Sequence, residues 1–171
     1  MKMSVYDSPA GRLMVGVHGG SVCLCDWMTG QRIETTLRRI SKFLPPSDTP
    51  DDIALFEATK LQLHEYFSGI RSCFDLPVEA MGTAFQRRVW DALLQIPYGE
   101  TSTYKDIAFS VGSPRGVRAV ASAIGANPLS LLIPCHRVVG SDGSLTGYAG
   151  GIAAKNSFCS WNQPVTTLDE L

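Results

Sequence analysis

Hydrophobic and polar residues alternate along the first 27 residues, and this pattern predicts a meander of three short β-strands. The alternation covers Ser4–Tyr6, Leu13–Val17 and Val22–Trp27, and alternate residues of a strand face the same side of a sheet. Two runs of turn residues, Ser8-Pro9-Ala10-Gly11 and Gly19-Gly20, separate the three segments. We therefore expect a small antiparallel sheet at the N-terminus.

The next 55 residues or so change to a helical spacing of apolar positions. Residues 33–44 predict a helix that ends at Pro45-Pro46, and residues 51–67 predict a second helix that ends at Gly69. Ile70–Leu76 is predicted to be a strand, and Pro77–Gly82 is predicted to be a linker. We place a boundary at this linker, between an N-terminal domain of residues 1–80 and a C-terminal domain of residues 81–171.

Short helices with polar caps are predicted for the second half of the chain. Thr83-x-x-Gln86 and Thr103-x-x-Asp106 are capping boxes, in which two side chains satisfy the first free N–H groups of a helix. The first of these helices carries an apolar stripe of Phe85, Val89, Trp90, Leu93, Leu94 and Ile96. Gly112-Ser113-Pro114 is predicted to be a turn, with Pro114 as the first residue of a third helix that runs to residue 126. Two short helices joined by a glycine-containing turn are typical of a helix-turn-helix, so the fold class is predicted to be α+β.

The third helix has one apolar face and one face of small side chains. The apolar face consists of Val117, Val120, Ala121 and Ile124, and the opposite face of Arg115, Arg118, Ala119, Ser122, Gly125 and Ala126. The second face has no Asn or Gln to read base edges, but its small residues allow the helix to approach a binding partner closely. It indicates sequence-tolerant binding in the minor groove of DNA with one long cation inserted. Packing against another domain is the alternative interpretation.

The overall charge does not indicate a nucleic-acid partner, although one segment does. The net charge is -1, from 15 Lys and Arg against 16 Asp and Glu. From Ile107 to Ser141, however, no acidic residue occurs, and Arg115, Arg118 and Arg137 all lie there. This segment is interpreted as a local basic stripe, with an ordinary solvated face as the alternative.

The sequence gives no sign of export, of a membrane span or of a metal. The longest uncharged run is broken by prolines, and the N-terminus lacks the apolar core of a signal peptide. A cytoplasmic protein is expected, or a nuclear one if the source is eukaryotic. The 5 cysteines include no paired CxxC elements, so neither a disulfide framework nor a zinc site is expected. No cofactor is expected either.

One cysteine, Cys135, has a setting that differs from that of an inert core thiol. Pro134 stiffens the chain before it, and His136 and Arg137 follow it directly. Nearby cations lower the pKa of a thiol from about 8.5 towards neutrality, which favours the nucleophilic thiolate. Adjacent side chains point to opposite sides of a regular strand, so contact between Cys135 and His136 requires a turn or a bridging water. A buried, unreactive thiol is the alternative.

Residues 133–140, with the sequence IPCHRVVG, and residues 146–151, with the sequence TGYAGG, resemble the active-site signature of the O6-alkylguanine-DNA alkyltransferases. Further segments fit the pattern of that family in the same order, namely residues 96–101, Tyr104, residues 118–120 and residues 127–128. The resemblance is close from Thr83 to Lys155 and looser at residues 7–11 and 65–69. It implies a ribonuclease-H-like N-terminal domain with a three-stranded sheet, followed by a winged helix-turn-helix-like domain.

The resemblance also implies direct-reversal DNA repair. A monomer would bind alkylated double-stranded DNA through the minor groove, flip the damaged guanine out of the stack and transfer its alkyl group once to Cys135. O6-alkylguanine is the implied substrate, with O4-alkylthymine as a possible second. The implied catalytic residues are Cys135, His136 and Asn127; the substrate-binding residues are Tyr104, Val138, Tyr148, Ala149 and Lys155. Together with the helix face, the resemblance indicates DNA contacts by Arg115, Arg118, Ala119, Ser122 and Ala126.

One position departs from the family pattern. A glutamate in the family usually holds the histidine in a Glu–His–water–Cys relay, but counting along this chain gives Asn162 at that position. An amide stabilises an imidazolium less well than a carboxylate does, and Asp169 or Glu170 could substitute. Three alternatives therefore stay open: a sensor that binds alkylguanine without repairing it, a helix-turn-helix transcription regulator and a thiol hydrolase.

Overall fold

Three antiparallel strands form the N-terminal sheet, as the alternation predicts. The computed structural model describes residues 1–45 and 53–144. Strands β1 (Lys2–Ser8), β2 (Gly11–His18) and β3 (Ser21–Trp27) lie side by side in chain order. Gly19 and Gly20 join β2 to β3 with φ angles of 60° and 78°. A two-residue hairpin turn with positive φ at both positions matches the twist of the strands, and glycine adopts it without strain.

One helix covers each face of this sheet. Helix α2 (Ile53–Phe67) packs on the face that buries alternate residues of β2, and Phe56 and Leu63 join that core. Helix α1 (Arg32–Ile40) packs on the other face, where Ile40 contacts a second cluster around Leu24. The predicted end of α1 at the proline pair is wrong, because the α-helix ends at Ile40. The chain continues in a tighter turn, in which the Phe43 N–H donates to the Ile40 carbonyl at 2.9 Å.

The strand predicted over Ile70–Leu76 is not formed. The N–H of Gly69 donates to the Tyr66 carbonyl, and the N–H of Ile70 donates to the Glu65 carbonyl. This is the Schellman pattern that reverses the chain at a helix end, and it leaves Ile70 77% exposed. The Gln62 side chain then bonds both the N–H and the carbonyl of Asp75, at 2.8 and 2.9 Å. A side chain of α2 therefore satisfies the backbone that a neighbouring strand would have paired.

The predicted linker pairs with the sheet instead. The Val22 N–H donates to the Pro77 carbonyl at 2.8 Å, and the Glu79 N–H donates to the Val22 carbonyl at 3.0 Å. Further along β3, the Cys25 N–H donates to the Pro128 carbonyl at 2.8 Å. The outer edge of β3 is therefore covered by two later segments of the chain.

Three helices form the helix-turn-helix region: α3 (Ala84–Leu93), α4 (Tyr104–Ser110) and α5 (Val117–Gly125). Both predicted capping boxes are present, at Thr83 and Thr103. The indole N–H of Trp90 donates to the Ala123 carbonyl at 2.8 Å and ties α3 to α5. The predicted stripe of α3 is wrong at Leu94, which is 47% exposed and follows the end of the helix.

Helix α5 begins three residues later than predicted. Pro114 lies in a turn that is closed by a hydrogen bond of 2.8 Å from the Gly116 N–H to the Ser113 carbonyl. Gly112, with a φ of 72°, provides the preceding reversal of the chain. Because Gly116 caps the helix, its first turn begins at Val117.

A single hydrophobic cluster includes residues from both sides of residue 80, among them Leu13, Leu63, Trp90, Ile124 and Leu129. A shared core does not locate a boundary, so the division into domains at residue 80 stays a prediction.

Within residues 1–45 and 53–144, no helix has the length and apolar character that crossing a membrane requires.

Candidate active site

Asn127 connects the end of α5 to the segment that precedes Cys135. Its side chain is fully buried. The amide Nδ2 donates to the carbonyls of Ile133 at 3.0 Å and Leu129 at 3.4 Å, and Oδ1 accepts from the Leu129 N–H at 2.9 Å. One side chain thereby closes the loop after the helix, because its donor and acceptor are both used within that loop.

A sequence of tight turns then places Cys135. The Ile133 N–H donates back to the Leu129 carbonyl at 2.8 Å, and Leu131 has a φ of 73°. Such an angle is strained for a bulky residue, and residues of this kind are concentrated at functional sites. Pro134 has φ and ψ of -79° and 59°, and the Cys135 N–H donates across it to the Ile133 carbonyl. This is an inverse γ-turn, and it leads directly into a 3₁₀ turn over Cys135–Arg137.

Cys135 and His136 therefore lie in a turn rather than in a strand. A turn was one of the two arrangements expected to allow contact between them, and a bridging water was the other. Cys135 is 6% exposed and His136 is fully buried. A thiol with so little exposed surface is out of reach of a base that stays stacked in the duplex. A substrate must bring its reactive atom to it.

Tyr66 is the site residue that the sequence did not reveal. Its hydroxyl lies 3.2 Å from Nε2 of His136, in a buried hydrogen bond that crosses 70 positions of the chain. The ring is held by neighbours: it stacks on Phe74, with centroids 5.1 Å apart, and meets Tyr98 edge-on at 6.4 Å. An aromatic residue on a helix is usually interpreted as core, so only its place in the loosely matching segment 65–69 could have drawn attention to it.

Arg137 is buried and therefore does not belong to an exposed basic stripe. Its Nη1 donates to the Ile96 carbonyl at 2.8 Å, and its guanidinium carbon lies 5.5 Å from the centre of the Tyr98 ring. Arg137 thus fastens the active-site turn to the segment that follows α3. Arg115 and Arg118, in contrast, are exposed as expected.

The exposed face of α5 carries Arg118, Ala119 and Ser122, in agreement with the prediction. Arg115, which was predicted to share this face, is exposed but lies in the turn before the helix, because α5 begins at Val117. Ala126 does not belong to the exposed face: the residue is 6% exposed and packs in the main core. The prediction failed because it continued the helical periodicity beyond Gly125, where α5 ends. Ala123 is buried as well and extends the apolar face of the helix.

A short parallel ladder brings two of the predicted substrate-binding residues to the same region. Strand β4 (Ser102–Thr103) pairs with β5 (Val138–Val139), with Ser102 opposite Val138. Tyr104 follows β4 directly as the first residue of α4 and is partly buried. Of the remaining predicted residues, Tyr148, Ala149, Lys155 and Asn162 lie outside the described residues, as do Asp169 and Glu170.

The other described cysteines do not compete for this role. Cys23 and Cys25 are buried in the sheet, and Cys73 is exposed. Burial raises the pKa of the Cys25 thiol, and the negative charge of the adjacent Asp26 raises it further, so Cys25 stays protonated.

Within residues 1–45 and 53–144, no three His, Cys, Asp or Glu side chains are grouped closely enough to hold a metal ion.

Fold and site together define an α+β protein whose helix-turn-helix is joined to a buried Cys–His turn. The family model described as 6-O-methylguanine DNA methyltransferase, ribonuclease-like domain, matches residues 1–80. The model described as the DNA binding domain of the same enzyme matches residues 84–163. The chain therefore belongs to the 6-O-methylguanine DNA methyltransferase family, which confirms the resemblance found in the sequence.

Individual relatives match over most of their length. A methylated-DNA–protein-cysteine methyltransferase of Methanosarcina barkeri is 43% identical over 156 residues, which cover 91% of this chain and 92% of the relative. One from Haemophilus influenzae is 40% identical over 151 residues, which cover 88% and 79%. The crystal structure of Mycobacterium tuberculosis O6-methylguanine methyltransferase has a TM-score of 0.76 at 37% identity, covering 95% of this chain and 94% of that one. The structure of M. tuberculosis OGT in complex with DNA also has a TM-score of 0.76, at 36% identity and 95% coverage of both chains.

Proposed function

We propose that this protein repairs O6-alkylguanine in double-stranded DNA by one irreversible transfer of the alkyl group to Cys135. Membership of the family supports the reaction. The observation that carries the assignment of the residue is the turn at Cys135–Arg137, which buries the thiol beside His136 and is closed onto α5 by Asn127. We further propose that the protein acts as a monomer, in the cytoplasm or, in a eukaryote, the nucleus.

DNA binds along the exposed face of α5. Ala119 and Ser122 have small side chains, so the helix can approach the floor of a narrow groove closely, and this favours the minor groove. Arg118 is the long cation on that face and enters the duplex to fill the space of the extruded base. The face has no Asn or Gln to read base edges, and its long side chain, Arg118, is assigned to the space of the extruded base. This suits a repair protein, which has to act in any sequence.

The guanine reaches the thiol only after it leaves the base stack, because Cys135 is 6% exposed. Extrusion costs a few kcal/mol of stacking and pairing, and less for a damaged pair. Tyr104 follows β4, and Val138 lies in β5 beside it. The Tyr104 hydroxyl donates to the extruded guanine. Val138, whose side chain is fully buried, contacts the base through its backbone carbonyl. O4-alkylthymine offers a similar alkoxy group and is a possible second substrate.

Transfer is a displacement at the alkyl carbon. The Cys135 thiol gives its proton to His136, directly or through a water molecule, and the thiolate attacks the alkyl carbon. An S–C bond forms while the bond between that carbon and O6 breaks, and the electron pair of the broken bond stays on the guanine, which takes up one proton. The product is a thioether, and its S–C bond is not hydrolysed by water under ordinary conditions, so each molecule reacts once.

Tyr66 lies beside one of the two nitrogens of His136. The Tyr66 hydroxyl is 3.2 Å from Nε2, and either group can donate in this bond. We assign Nε2–H as the donor, which is the tautomer in which the lone pair of Nδ1 accepts the cysteine proton. When the imidazolium forms, the bond from Nε2–H becomes charge-assisted and therefore stronger. The resemblance assigns this support to a glutamate, where this chain has Asn162, and Tyr66 provides it within the described residues.

Intact mass measurement after incubation with an alkylated duplex tests this proposal. We expect a mass increase of one alkyl group per protein, mapped by peptide analysis to Cys135, and no increase with Cys135→Ala. The exposed thiol of Cys73 is the internal control for non-specific alkylation. Tight binding without an adduct would indicate a sensor, and repeated product release would indicate a hydrolase.

A further inference from the structure

A buried carboxylate lies between the N-terminal sheet and the end of α5. Asp26, in β3, is fully buried. Its Oδ1 accepts from Arg32 Nε at 3.0 Å and from Ser130 Oγ at 3.0 Å, and its Oδ2 accepts from Thr36 Oγ1 at 2.9 Å. A charged carboxylate can be buried only when its oxygens are bonded in this way. Asp26 thereby joins α1 to the loop that leads to the active site.

Two arginines of α1, Arg32 and Arg39, reach the carbonyls at the end of α5, which we call the recognition helix, and directly after it. Arg32 donates to the Gly125 carbonyl through Nη1 at 3.1 Å and to the Asn127 carbonyl through Nη2 at 3.3 Å. Arg39 donates to the Ala126 carbonyl through Nη2 at 3.0 Å. Carbonyls at a helix C-terminus lack partners within the helix and carry its negative dipole end, so guanidinium groups suit them.

The result is an unbroken run of contacts. With the bond from the Cys25 N–H to the Pro128 carbonyl, each of the four consecutive carbonyls of residues 125–128 accepts a hydrogen bond from β3 or α1. We name Asp26, Arg32 and Arg39 the arginine clamp. Burial lowers the pKa of Arg39, the nearby Arg32 charge lowers it further, and Asp26 opposes the shift. The charge of Asp26 thus offsets part of the repulsion between the two arginines.

The clamped carbonyls lie between the two parts of the site. On one side is α5 with its DNA-facing residues, and on the other is Asn127 with the turns that place Cys135. The orientation of α5 relative to the thiol depends on this short segment, because the segment connects the two. The orientation matters for repair, since a base extruded at Arg118 has to arrive at Cys135.

We propose that the arginine clamp positions α5 relative to the cysteine turn, and that it is needed for repair of duplex DNA but not for reaction with a free base. This inference rests on the proposed function. A free base diffuses to the thiol without help from α5. A base in DNA is delivered by α5, and small misplacements of reacting groups lower rates strongly.

The test compares two neighbouring arginines of α1 on two substrates. Arg39→Met removes a clamp residue, and Arg38→Met is the matched control, because Arg38 is exposed and the change removes the same charge. The second-order rate constant is measured with an alkylated duplex and with free O6-benzylguanine. We expect Arg39→Met to lower the duplex rate about tenfold, equivalent to about 1.4 kcal/mol, and the free-base rate by less than about twofold. Arg38→Met should leave the ratio of the two rates at the wild-type value.

The inference would be overturned if Arg39→Met lowered the rates on both substrates equally. It would also be overturned if Arg39→Met and Arg38→Met had the same ratio of duplex rate to free-base rate. If Arg39→Met does not fold, Thr36→Val removes the hydroxyl that bonds Asp26 at 2.9 Å while keeping the shape of the side chain, and the same change in ratio is expected. Failure of the proposed function has a different result, since the wild-type protein would then form no adduct with either substrate.

Discussion

Tyr66→Phe removes a single oxygen atom from the active site and leaves the aromatic packing in place. The ring of Tyr66 is held by Phe74, Phe67 and Tyr98 at centroid distances of 5.1, 6.2 and 6.4 Å, and phenylalanine retains these contacts. What is lost is the bond between the hydroxyl and His136 Nε2 at 3.2 Å. The substitution therefore tests the support that the hydroxyl gives to His136.

The magnitude follows from the two protonation states of His136. A hydrogen bond between neutral groups contributes about 0.5–1.5 kcal/mol, and one from a charged group about 1.5–3 kcal/mol. The imidazolium thus loses about 1 kcal/mol more than the neutral ring does. Since 1.4 kcal/mol corresponds to a factor of ten, we expect the rate of transfer to fall about fivefold. The free energy of unfolding should fall by about 1–3 kcal/mol, because a buried polar group loses a partner.

Single-turnover kinetics with an alkylated duplex and with free O6-benzylguanine measure the effect, and urea denaturation measures the stability. We expect the same fractional loss on both substrates, because His136 acts on the thiol and not on the DNA. Tyr6→Phe is the matched control: its ring stacks on Phe67, with centroids 6.3 Å apart. A Tyr66→Phe protein that is less stable but reacts at the wild-type rate would refute a role of the hydroxyl in transfer.

Three further substitutions test the other parts of the site. Cys135→Ala should abolish transfer and leave DNA binding intact, as measured by intact mass and by a binding titration; an adduct on Cys73 would contradict the assignment. Arg118→Ala should lower the repair rate of duplex DNA at least about tenfold, because stabilising an extruded base is worth a few kcal/mol, and should leave the free-base rate unchanged; equal losses would place Arg118 in another role. Asn127→Ala should lower the free energy of unfolding by about 3 kcal/mol in urea denaturation, because it leaves the buried Ile133 carbonyl and the Leu129 N–H without their partners; a loss below about 1 kcal/mol would show that water replaces the amide.

The sequence was sufficient where the signal was local. The meander follows from alternation and paired glycines, and the two capping boxes depend on residues three positions apart, at Thr83 and Thr103. The signature around Cys135 is one continuous run, and the structure forms it as a series of turns within that run. In each case the residues that determine the structure are near neighbours in the chain.

Prediction failed where a distant partner or the end of an element decided the outcome. Ile70–Leu76 has the apolar content of a strand, but the Gln62 side chain satisfies its backbone from α2. Ala126 continues the exposed face of α5 on a helical wheel, but the helix ends one residue earlier. Tyr66 and His136 are 70 positions apart, and Asp26 and Ser130 are 104 positions apart. No pattern in one sequence indicates such pairs.

The proposed roles divide the site into residues that make the thiol reactive and residues that bring a base to it. Tyr66 belongs to the first set, because it acts through His136, and its loss should lower both rates in proportion. Arg118 and Arg39 belong to the second set, although one lies on the DNA-facing surface and the other is partly buried in the N-terminal half. The ratio of duplex rate to free-base rate should therefore fall for both arginines and stay constant for Tyr66→Phe. A residue of α1 that is remote from the thiol in sequence and does not belong to the DNA-facing surface would then share the kinetic signature of the recognition helix, because it holds the end of that helix in place.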